Sequence, residues 1–306
     1  MNLEPINQTK LYAFFEEFNQ LIKLHKEKKL PNKILLSGPK GIGKCTFAYH
    51  LTNYILSHDD EFPYDLKNFH IDEKNRYYKL NLNGSNPNVI LIDIENGKKN
   101  IEINQIRNLI NSLNKSSFNS KERFVLIDNI EYLNLNSINA LLKVIEEPNP
   151  GIHFILIDNN KDILPTLTSR CIKFNLFLSH SESLSICEKL ISKDFQEIIN
   201  NELLDYYFTP GKVYNLFKFA NENKIDLVEI NLKELMNMII NENLYKKDNT
   251  IKYLIYDLIE LFLSKNILPK SYNFFDYFKN EINKTKKFNL DEESLFIKFK
   301  SKLLNG

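Results

Sequence analysis

The sequence predicts an α/β protein in which a parallel β-sheet is followed by an all-helical region. Three observations support this prediction. Short apolar runs of strand length alternate with helical patterns up to about residue 176, a glycine-rich motif follows the first run, and strand signals stop afterwards. Buried strands that alternate with helices form a parallel sheet covered on both faces. Ligands such as nucleotides bind at the carboxyl ends of the strands of such a sheet.

The predicted strands of the first region are residues 34–37, 89–94, 124–128, 153–157 and, with a weaker pattern, 171–174. The predicted helices between them are residues 11–30, 46–56, 103–113 and 137–147. Residues 57–88 are polar and show little periodicity, so we predict an insertion or a long loop there. Short helices are predicted over 181–225, with a turn at 209–211, and long helices over 228–306, with a polar break at 241–249.

Composition restricts the possible functions. The chain has 306 residues, enough for two or three domains, and a formal net charge of only +1. No protein-wide positive field therefore attracts DNA or an anionic membrane. Cys45, Cys171 and Cys187 lack the CxxC spacing of zinc sites, so we expect no zinc and a reducing, cytoplasmic location. No apolar run has the length of a signal sequence core or a membrane span, so we expect no membrane partner.

Residues 38–45, Gly-Pro-Lys-Gly-Ile-Gly-Lys-Cys, lie between a predicted strand and a predicted helix, as a P-loop does. In this motif, Gly38, Gly41 and Gly43 let backbone N–H groups cradle phosphates, and the Lys44 ammonium reaches the terminal ones. The last position normally carries a Ser or Thr hydroxyl that binds Mg²⁺. Here it is Cys45, and a thiol is a poor ligand for this hard cation. We therefore predict a P-loop whose binding of Mg·ATP is impaired.

Asp128 ends an apolar strand, as does the Walker B aspartate that holds Mg²⁺ in P-loop enzymes. An active ATPase of this type usually places Glu next, to polarise the attacking water. Asn129 is an amide that cannot act as a base, and the position of Glu131 relative to a γ-phosphate does not follow from the sequence. The alternative for Asp128 is that it simply ends a strand. Defects at the metal position and at the water position together predict little or no intrinsic hydrolysis.

Two later segments closely resemble motifs of bacterial clamp-loader subunits. Residues 139–148, Asn-Ala-Leu-Leu-Lys-Val-Ile-Glu-Glu-Pro, resemble their "NALLKxLEEP" helix, and residues 164–171, Leu-Pro-Thr-Leu-Thr-Ser-Arg-Cys, resemble "LPxTxxSRC". Residues 84–88, 103–107 and 210–212 are similar to the family's "GSHPD", "IxxDQIR" and "SPGRA". The ordered matches cover residues 35–212, roughly two-thirds of the chain. Family members often carry zinc-binding cysteines before "GSHPD", and this chain has none there.

The resemblance implies an AAA+ RecA-like P-loop module at 1–176, a small helical lid at 177–225 and a C-terminal all-α collar at 226–306 that packs subunits into a pentameric ring. The expected partners are gamma/tau and delta subunits and, through the complex, the sliding clamp and primed DNA. The altered Walker positions favour the delta-prime type, which would help to load the clamp with little ATP hydrolysis of its own. The alternatives are an active gamma/tau-type ATPase and an unrelated P-loop NTPase.

The resemblance also implies roles for single residues. The arginine of Ser-Arg-Cys reaches the ATP bound by a neighbouring subunit, so Arg170 is the predicted arginine finger, or else an exposed surface arginine. Arg107 is predicted to contact DNA phosphates near a helix start, or else is a solvated charge. Asn159 lies about where AAA+ proteins have the residue that senses the γ-phosphate. If the nucleotide site is impaired, this role of Asn159 is vestigial. Lys212, predicted to belong to the chain's own impaired nucleotide site, replaces the family's lid arginine and keeps the charge without the bidentate fork.

Overall fold

The computed structural model describes residues 4–95, 98, 100–114, 119–146, 150–159, 165–191, 197–204, 208–246, 249–265, 272–288 and 290–304. The chain forms two compact units, Met1–Ser179 and His180–Gly306. None of the described helices combines the length and the apolar character that a membrane span requires.

The first unit is built on a parallel sheet. Its strands are β1 (Lys33–Ser37), β2 (Val89–Ile92), β3 (Arg123–Ile127), β4 (Ile152–Asp158) and β5 (Ile172–Asn175). They lie in the order β2-β3-β4-β1-β5, and every neighbouring pair is parallel. β4 is buried along its whole length, as expected for a strand covered on both faces. Because all the strands run in one direction, the residues that follow them meet at a single edge of the sheet.

Helices of the first unit contribute the apolar faces that complete its core. They are α1 (Phe15–Lys26), α2 (Lys44–Leu56), α3 (Arg76–Leu82), α4 (Ile103–Leu113), α5 (Leu135–Glu146) and α6 (Pro165–Thr168), with 3₁₀ turns at Pro5–Asn7 and Ile130–Tyr132. α2 is buried almost throughout. α4 and α5 bury one face each, and Ile106 and Leu141 lie in the same hydrophobic cluster as Phe154 of β4.

The α/β class predicted from the sequence is confirmed, and all five predicted strands are present within a few residues of their expected bounds. α4 has the predicted bounds. α1 is shorter than the predicted helix over 11–30, because Phe14 adopts the left-handed backbone conformation at its start (φ 64°). The prediction that 57–88 is a long loop was wrong for residues 76–82, which form α3. The expected last residue of α5, Glu147, lies outside the described residues.

Buried amide side chains, rather than an apolar stripe, order the segment before α3. The Asn53 Nδ2 of α2 donates to the Asn75 Oδ1 at 2.9 Å, and the Asn75 Nδ2 donates to the Phe62 carbonyl at 2.6 Å. The Asn75 Oδ1 also accepts from the Tyr78 N–H at 2.9 Å and so caps the start of α3. Periodicity does not reveal such hydrogen bonds, so this part of the chain was predicted less well than the strands.

The described part of the second unit is helical. Its helices are α7 (His180–Ile191), α8 (Asn201–Leu204), α9 (Pro210–Asn223), α10 (Leu232–Asn241), α11 (Asn249–Lys265), α12 (Tyr272–Phe288) and α13 (Glu292–Phe299), with a 3₁₀ turn at Leu244–Lys246 and a π-helical turn at Lys300–Leu304. One hydrophobic cluster joins Leu216 of α9, Ile255 of α11 and Phe299 of α13. The helical character of this region is as predicted. The three-domain division at 1–176, 177–225 and 226–306 stays a prediction.

We expect Asn75→Ala to lower the free energy of unfolding by about 2 to 4 kcal/mol. The substitution removes a helix cap and leaves a buried carbonyl and a buried amide without their partners. Denaturant unfolding followed by circular dichroism measures the loss. The control is Asn83→Ala, at the exposed C-terminal end of the same helix, for which the change should stay within about 0.5 kcal/mol. Equal losses in the two variants would contradict the assignment of Asn75.

Candidate nucleotide-binding site

The predicted P-loop connects β1 to α2 at the carboxyl edge of the sheet. Gly41 and Gly43 adopt positive φ angles of 87° and 97°, which favour glycine. Gly38 has no room for a side chain, because a Cβ there would lie 2.2 Å from the Leu176 carbonyl oxygen. The glycines at these positions therefore permit the tight loop that a phosphate-binding motif requires.

The Lys44 ammonium is buried at the start of α2 and has three hydrogen-bond acceptors. Its Nζ donates to the Gly38 carbonyl at 2.8 Å, the Pro39 carbonyl at 2.7 Å and the Asn159 Oδ1 at 3.0 Å. Burial lowers the pKa of Lys44 to about 8, although the nearby carboxylates, led by that of Asp128, raise it. An ammonium has three N–H donors, and here each has an acceptor. The lysine is therefore charged near neutral pH and is bound within its own loop and to the end of β4.

Asn159 connects this lysine to the end of β3. Its Nδ2 donates to the Asn129 Oδ1 and to the Glu131 Oε1, both at 2.9 Å. The Asn129 Nδ2 in turn donates to the Asp93 Oδ1 at 2.8 Å. Side chains that follow β2, β3 and β4 thus form one hydrogen-bonded chain that ends at Lys44. Both residues considered for the water-positioning role, Asn129 and Glu131, are engaged in it.

Cys45 is buried at the start of α2, where the charge of Asp128 acts on it. Burial, together with the charges of Asp128 and Asp93 and a hydrogen bond to Asp128, raises the pKa of the Cys45 thiol well above its ordinary value. Burial, followed by the charge of Asp93, raises the pKa of Asp128 to about 6. The thiol is therefore neutral near pH 7. A neutral thiol is a poor ligand for Mg²⁺.

These residues do not fit a hydrolysing Mg·ATP site. The position of the hydroxyl that would bind the metal carries the Cys45 thiol, which is buried and neutral. The position for a catalytic glutamate carries Asn129, whose amide is bound to Asp93. This set of groups offers no route to hydrolysis, and the affinity of the site for a nucleotide remains a prediction.

Arg170 lies between α6 and β5, and its side chain is 35% exposed. Its Nη1 donates to the Thr166 carbonyl at 2.6 Å, and its Nη2 donates to the Glu146 Oε1 at 2.7 Å. A permanently charged guanidinium at the surface of the first unit is compatible with the predicted finger. It is equally compatible with the alternative of an exposed surface arginine, so the finger role stays a prediction.

The remaining predicted residues lie on helices. Arg107 is exposed on α4, whose first turn is held by the Gln105 side chain: it accepts from the Glu102 N–H and donates to the Asp93 carbonyl. Lys212 lies in α9 of the second unit, where its Nζ donates to an oxygen of Asp257 in α11 at 2.7 Å. Lys212 thus has an ion-pair partner within its own unit. Its predicted contact with a nucleotide and that of Arg107 with DNA are not tested by this geometry.

Sequence reasoning missed three carboxylates near the predicted residues. Asp93 follows β2, and Asp158 ends β4 and accepts from the Ser37 hydroxyl at 2.7 Å. The rule that identified Asp128, a carboxylate at the carboxyl end of an apolar strand, could have found both. Glu146 had no such signal, because its partner Arg170 belongs to a different element.

A family model described as "DNA polymerase III, delta subunit" matches residues 15–179, which begin with α1 and end with the first compact unit. The chain belongs to this family. The resemblance to bacterial clamp-loader delta-prime subunits, inferred above from the sequence motifs, is thereby confirmed.

Curated relatives agree with this assignment. A DNA polymerase III subunit delta' from Buchnera aphidicola subsp. Baizongia pistaciae is 32% identical over 174 residues, 55% of this chain and 50% of that protein. A subunit gamma from Buchnera aphidicola subsp. Acyrthosiphon pisum is 30% identical over 172 residues, 56% of this chain and 43% of that protein. The chain thus spans about half the length of these two curated relatives.

A solved structure shares the overall fold. The DNA polymerase III gamma subunit-related protein from Thermotoga maritima superposes with a TM-score of 0.50 at 20% identity, covering 91% of this chain and 96% of that one. The predicted α/β fold, a P-loop module with a parallel sheet followed by a helical region, is confirmed.

The raised pKa of Asp128 leads to a prediction about stability. Between its ordinary pKa of 3.8 and the folded value of about 6, the folded state binds more protons than the unfolded state. The contribution of Asp128 to the free energy of unfolding therefore falls as pH rises through this window and stays reduced above it. Asp128→Asn keeps the hydrogen-bond acceptor but does not ionise. It should stabilise the chain by about 1 to 2 kcal/mol at pH 7.5, and by less at pH 4.5.

Thermal or denaturant unfolding at the two pH values measures this difference. Asp59→Asn, which changes an exposed carboxylate of the same unit, is the control and should show no comparable gain at pH 7.5. If Asp128→Asn is destabilising at pH 7.5, the carboxylate is stabilised in the fold by contacts other than those described here.

Proposed function

We propose that this chain acts as a delta-prime-type subunit of a DNA polymerase III clamp loader. In this role it helps the ATP-driven complex to load the sliding clamp onto primed DNA during replication, and it hydrolyses little or no ATP itself. The observation that carries the proposal is an otherwise complete P-loop fold that buries the Cys45 thiol where a metal-binding hydroxyl would stand. It combines the family's architecture with the loss of the group that would bind Mg²⁺.

The second candidate function is an active gamma/tau-type motor. It is favoured by the similarity to a subunit gamma from Buchnera aphidicola at 30% identity. The chemistry of this site argues against it, because Asn129 cannot accept a proton and its amide is bound to Asp93 and Asn159. The delta-prime proposal accounts for Asn129 at the position of the catalytic glutamate, because it does not require another residue to supply the missing base.

The proposed partners are gamma/tau and delta subunits, which would form a pentameric ring with this chain. Residues 226–306 would act as the collar that packs against them, since a ring-wide helical contact buries more apolar surface than the contacts between P-loop modules. The sliding clamp and primed DNA would be reached through the complex, with Arg107 as a proposed phosphate contact. This chain needs no zinc for the role, and it would act in the cytoplasm.

Arg170 is proposed to complete the ATP site of a neighbouring subunit. A planar guanidinium offsets the charge that develops on the transferring phosphoryl group, so it stabilises the transition state more than bound ATP. Its location at the surface of the first unit supports this role, because a finger must reach beyond its own chain.

The first test concerns hydrolysis by the purified chain. We expect ATP turnover no higher than that of the Lys44→Ala variant, which removes the ammonium from the P-loop. A steady-state phosphate-release assay with Mg²⁺ measures it. Robust turnover that disappears in Lys44→Ala would instead favour the gamma/tau-type motor.

The second test concerns Arg170 in a loader reconstituted with its cognate gamma/tau and delta subunits. Arg170→Ala should leave assembly intact, lower clamp- and DNA-stimulated ATP turnover partially, and impair clamp loading more severely. Arginine fingers contribute on the order of 10³ to 10⁵ in rate, but several motor sites in one ring would dilute the loss of one. Arg170→Lys should rescue little, because an ammonium lacks the fork geometry.

The matched control is Arg76→Ala, which removes another exposed arginine of the same unit. It should leave turnover and loading unchanged. Wild-type loading by Arg170→Ala would show that Arg170 is only a surface arginine in this chain.

A further inference from the structure

We propose that Glu146 is a positioning residue for Arg170: its carboxylate holds the guanidinium in the orientation in which it meets the neighbour's ATP. This inference rests on the proposed finger role and identifies the group within the chain that prepares the finger. The Nη2 of Arg170 donates to the Glu146 Oε1 at 2.7 Å, and the Nη1 donates to the Thr166 carbonyl at 2.6 Å. Two different nitrogens of one planar group are therefore fixed at once.

The backbone that carries the carboxylate is firmly held. Glu146 is the last described residue of α5, directly after Ile145, which is fully buried in the core. The Glu146 carbonyl accepts from the Lys33 Nζ at 3.4 Å, and Lys33 begins β1. The end of α5 is thus tied to the central part of the sheet.

The backbone that carries the guanidinium is held by the same strand. Arg170 N–H donates to the Leu167 carbonyl at 3.3 Å, and Leu167 is buried. Just after Arg170, β5 pairs in parallel with β1, with Ile172 opposite Ile34. Contacts with β1 on both sides of the ion pair therefore place the two side chains within hydrogen-bond distance of each other.

The pairing leaves the finger usable. A guanidinium carries five N–H donors, and the contacts with Thr166 and Glu146 use two of them, so others can reach a phosphate oxygen. Arginine loses considerable rotamer freedom whenever it is held in one place, and a finger that is already oriented does not lose it during the reaction. Because a finger stabilises the transition state more than bound ATP, its orientation acts mainly on the rate of the chemical step.

The test uses the reconstituted complex with Glu146→Ala and with Glu146→Gln, an isosteric variant that keeps one acceptor oxygen but not the charge. Glu146→Ala should lower kcat at the site that Arg170 completes by about two- to fivefold, the range of an exposed ion pair, and turnover of the whole ring by no more than Arg170→Ala does, with KM unchanged. Glu146→Gln should retain part of the wild-type rate. Binding provides a second readout: Glu146→Ala should weaken binding of ADP·aluminium fluoride, a transition-state analogue, more than binding of ATPγS.

Two comparisons decide the result. The double variant Glu146→Ala/Arg170→Ala should turn over ATP at the same rate as Arg170→Ala alone, since a positioning residue has no effect once the finger is absent. The control Glu222→Ala, in an exposed pair with Lys218 on α9, should behave as wild type. If Arg170→Ala itself has no effect, the proposed function fails.

If Arg170→Ala lowers turnover but Glu146→Ala does not, the finger is real and the positioning role of Glu146 is refuted. A higher rate in Glu146→Ala would also refute it, because the pair would then restrain the finger. Circular dichroism and size-exclusion chromatography show whether each variant folds and assembles. If Glu146→Ala does not fold or assemble, Glu146→Gln tests the positioning role.

Discussion

The buried Lys44 ammonium organises the carboxyl edge of the sheet in the first unit. A charged group removed from water must be surrounded by acceptors, and here the acceptors come from the P-loop itself and from Asn159 after β4. Asn159 then engages Asn129 after β3, which engages Asp93 after β2. A single cation thereby fixes the relative positions of the segments that follow the central strands.

This arrangement explains how a P-loop can be stable in a chain that has the Cys45 thiol in place of the metal-binding hydroxyl. Lys44 joins the start of α2 to the end of β4, so the motif contributes to the architecture whether or not a nucleotide is hydrolysed. The Cys45 thiol is buried at the same edge, and the Asp128 carboxylate accepts from the Asn129 N–H there. The cost appears in the raised pKa of Asp128, which shows that burial beside Asp93 disfavours the charged carboxylate.

The family assignment and the substituted Walker residues together support different roles for this chain and for its proposed neighbours. The chain would contribute a charged group to a site in which another subunit holds the ATP, and its own phosphate-binding loop would be structural. Arg170 and Glu146 are held by elements that both attach to β1, the strand that also leads into the P-loop. The central strand β1 therefore leads into the altered nucleotide site and also pairs with the strand that follows the proposed finger. In the second unit, Lys212 is bound to Asp257 within one helical cluster, where the ion pair joins α9 to α11.

Local pattern alone determined the parallel α/β class, the strands, the P-loop and Asp128 at the end of its strand, because buried strands need continuous apolar runs and phosphate loops need glycine. Motifs of consecutive residues likewise determined the family and pointed to Arg170. Only the tertiary structure decided that Asn75 orders the polar segment before α3, that Asp93 holds Asn129, and that Glu146 meets Arg170. The physical reason is the range of the interactions. Hydrogen bonds and ion pairs between side chains distant in sequence leave no periodic trace, and they form only after the sheet has brought their strands and helices together.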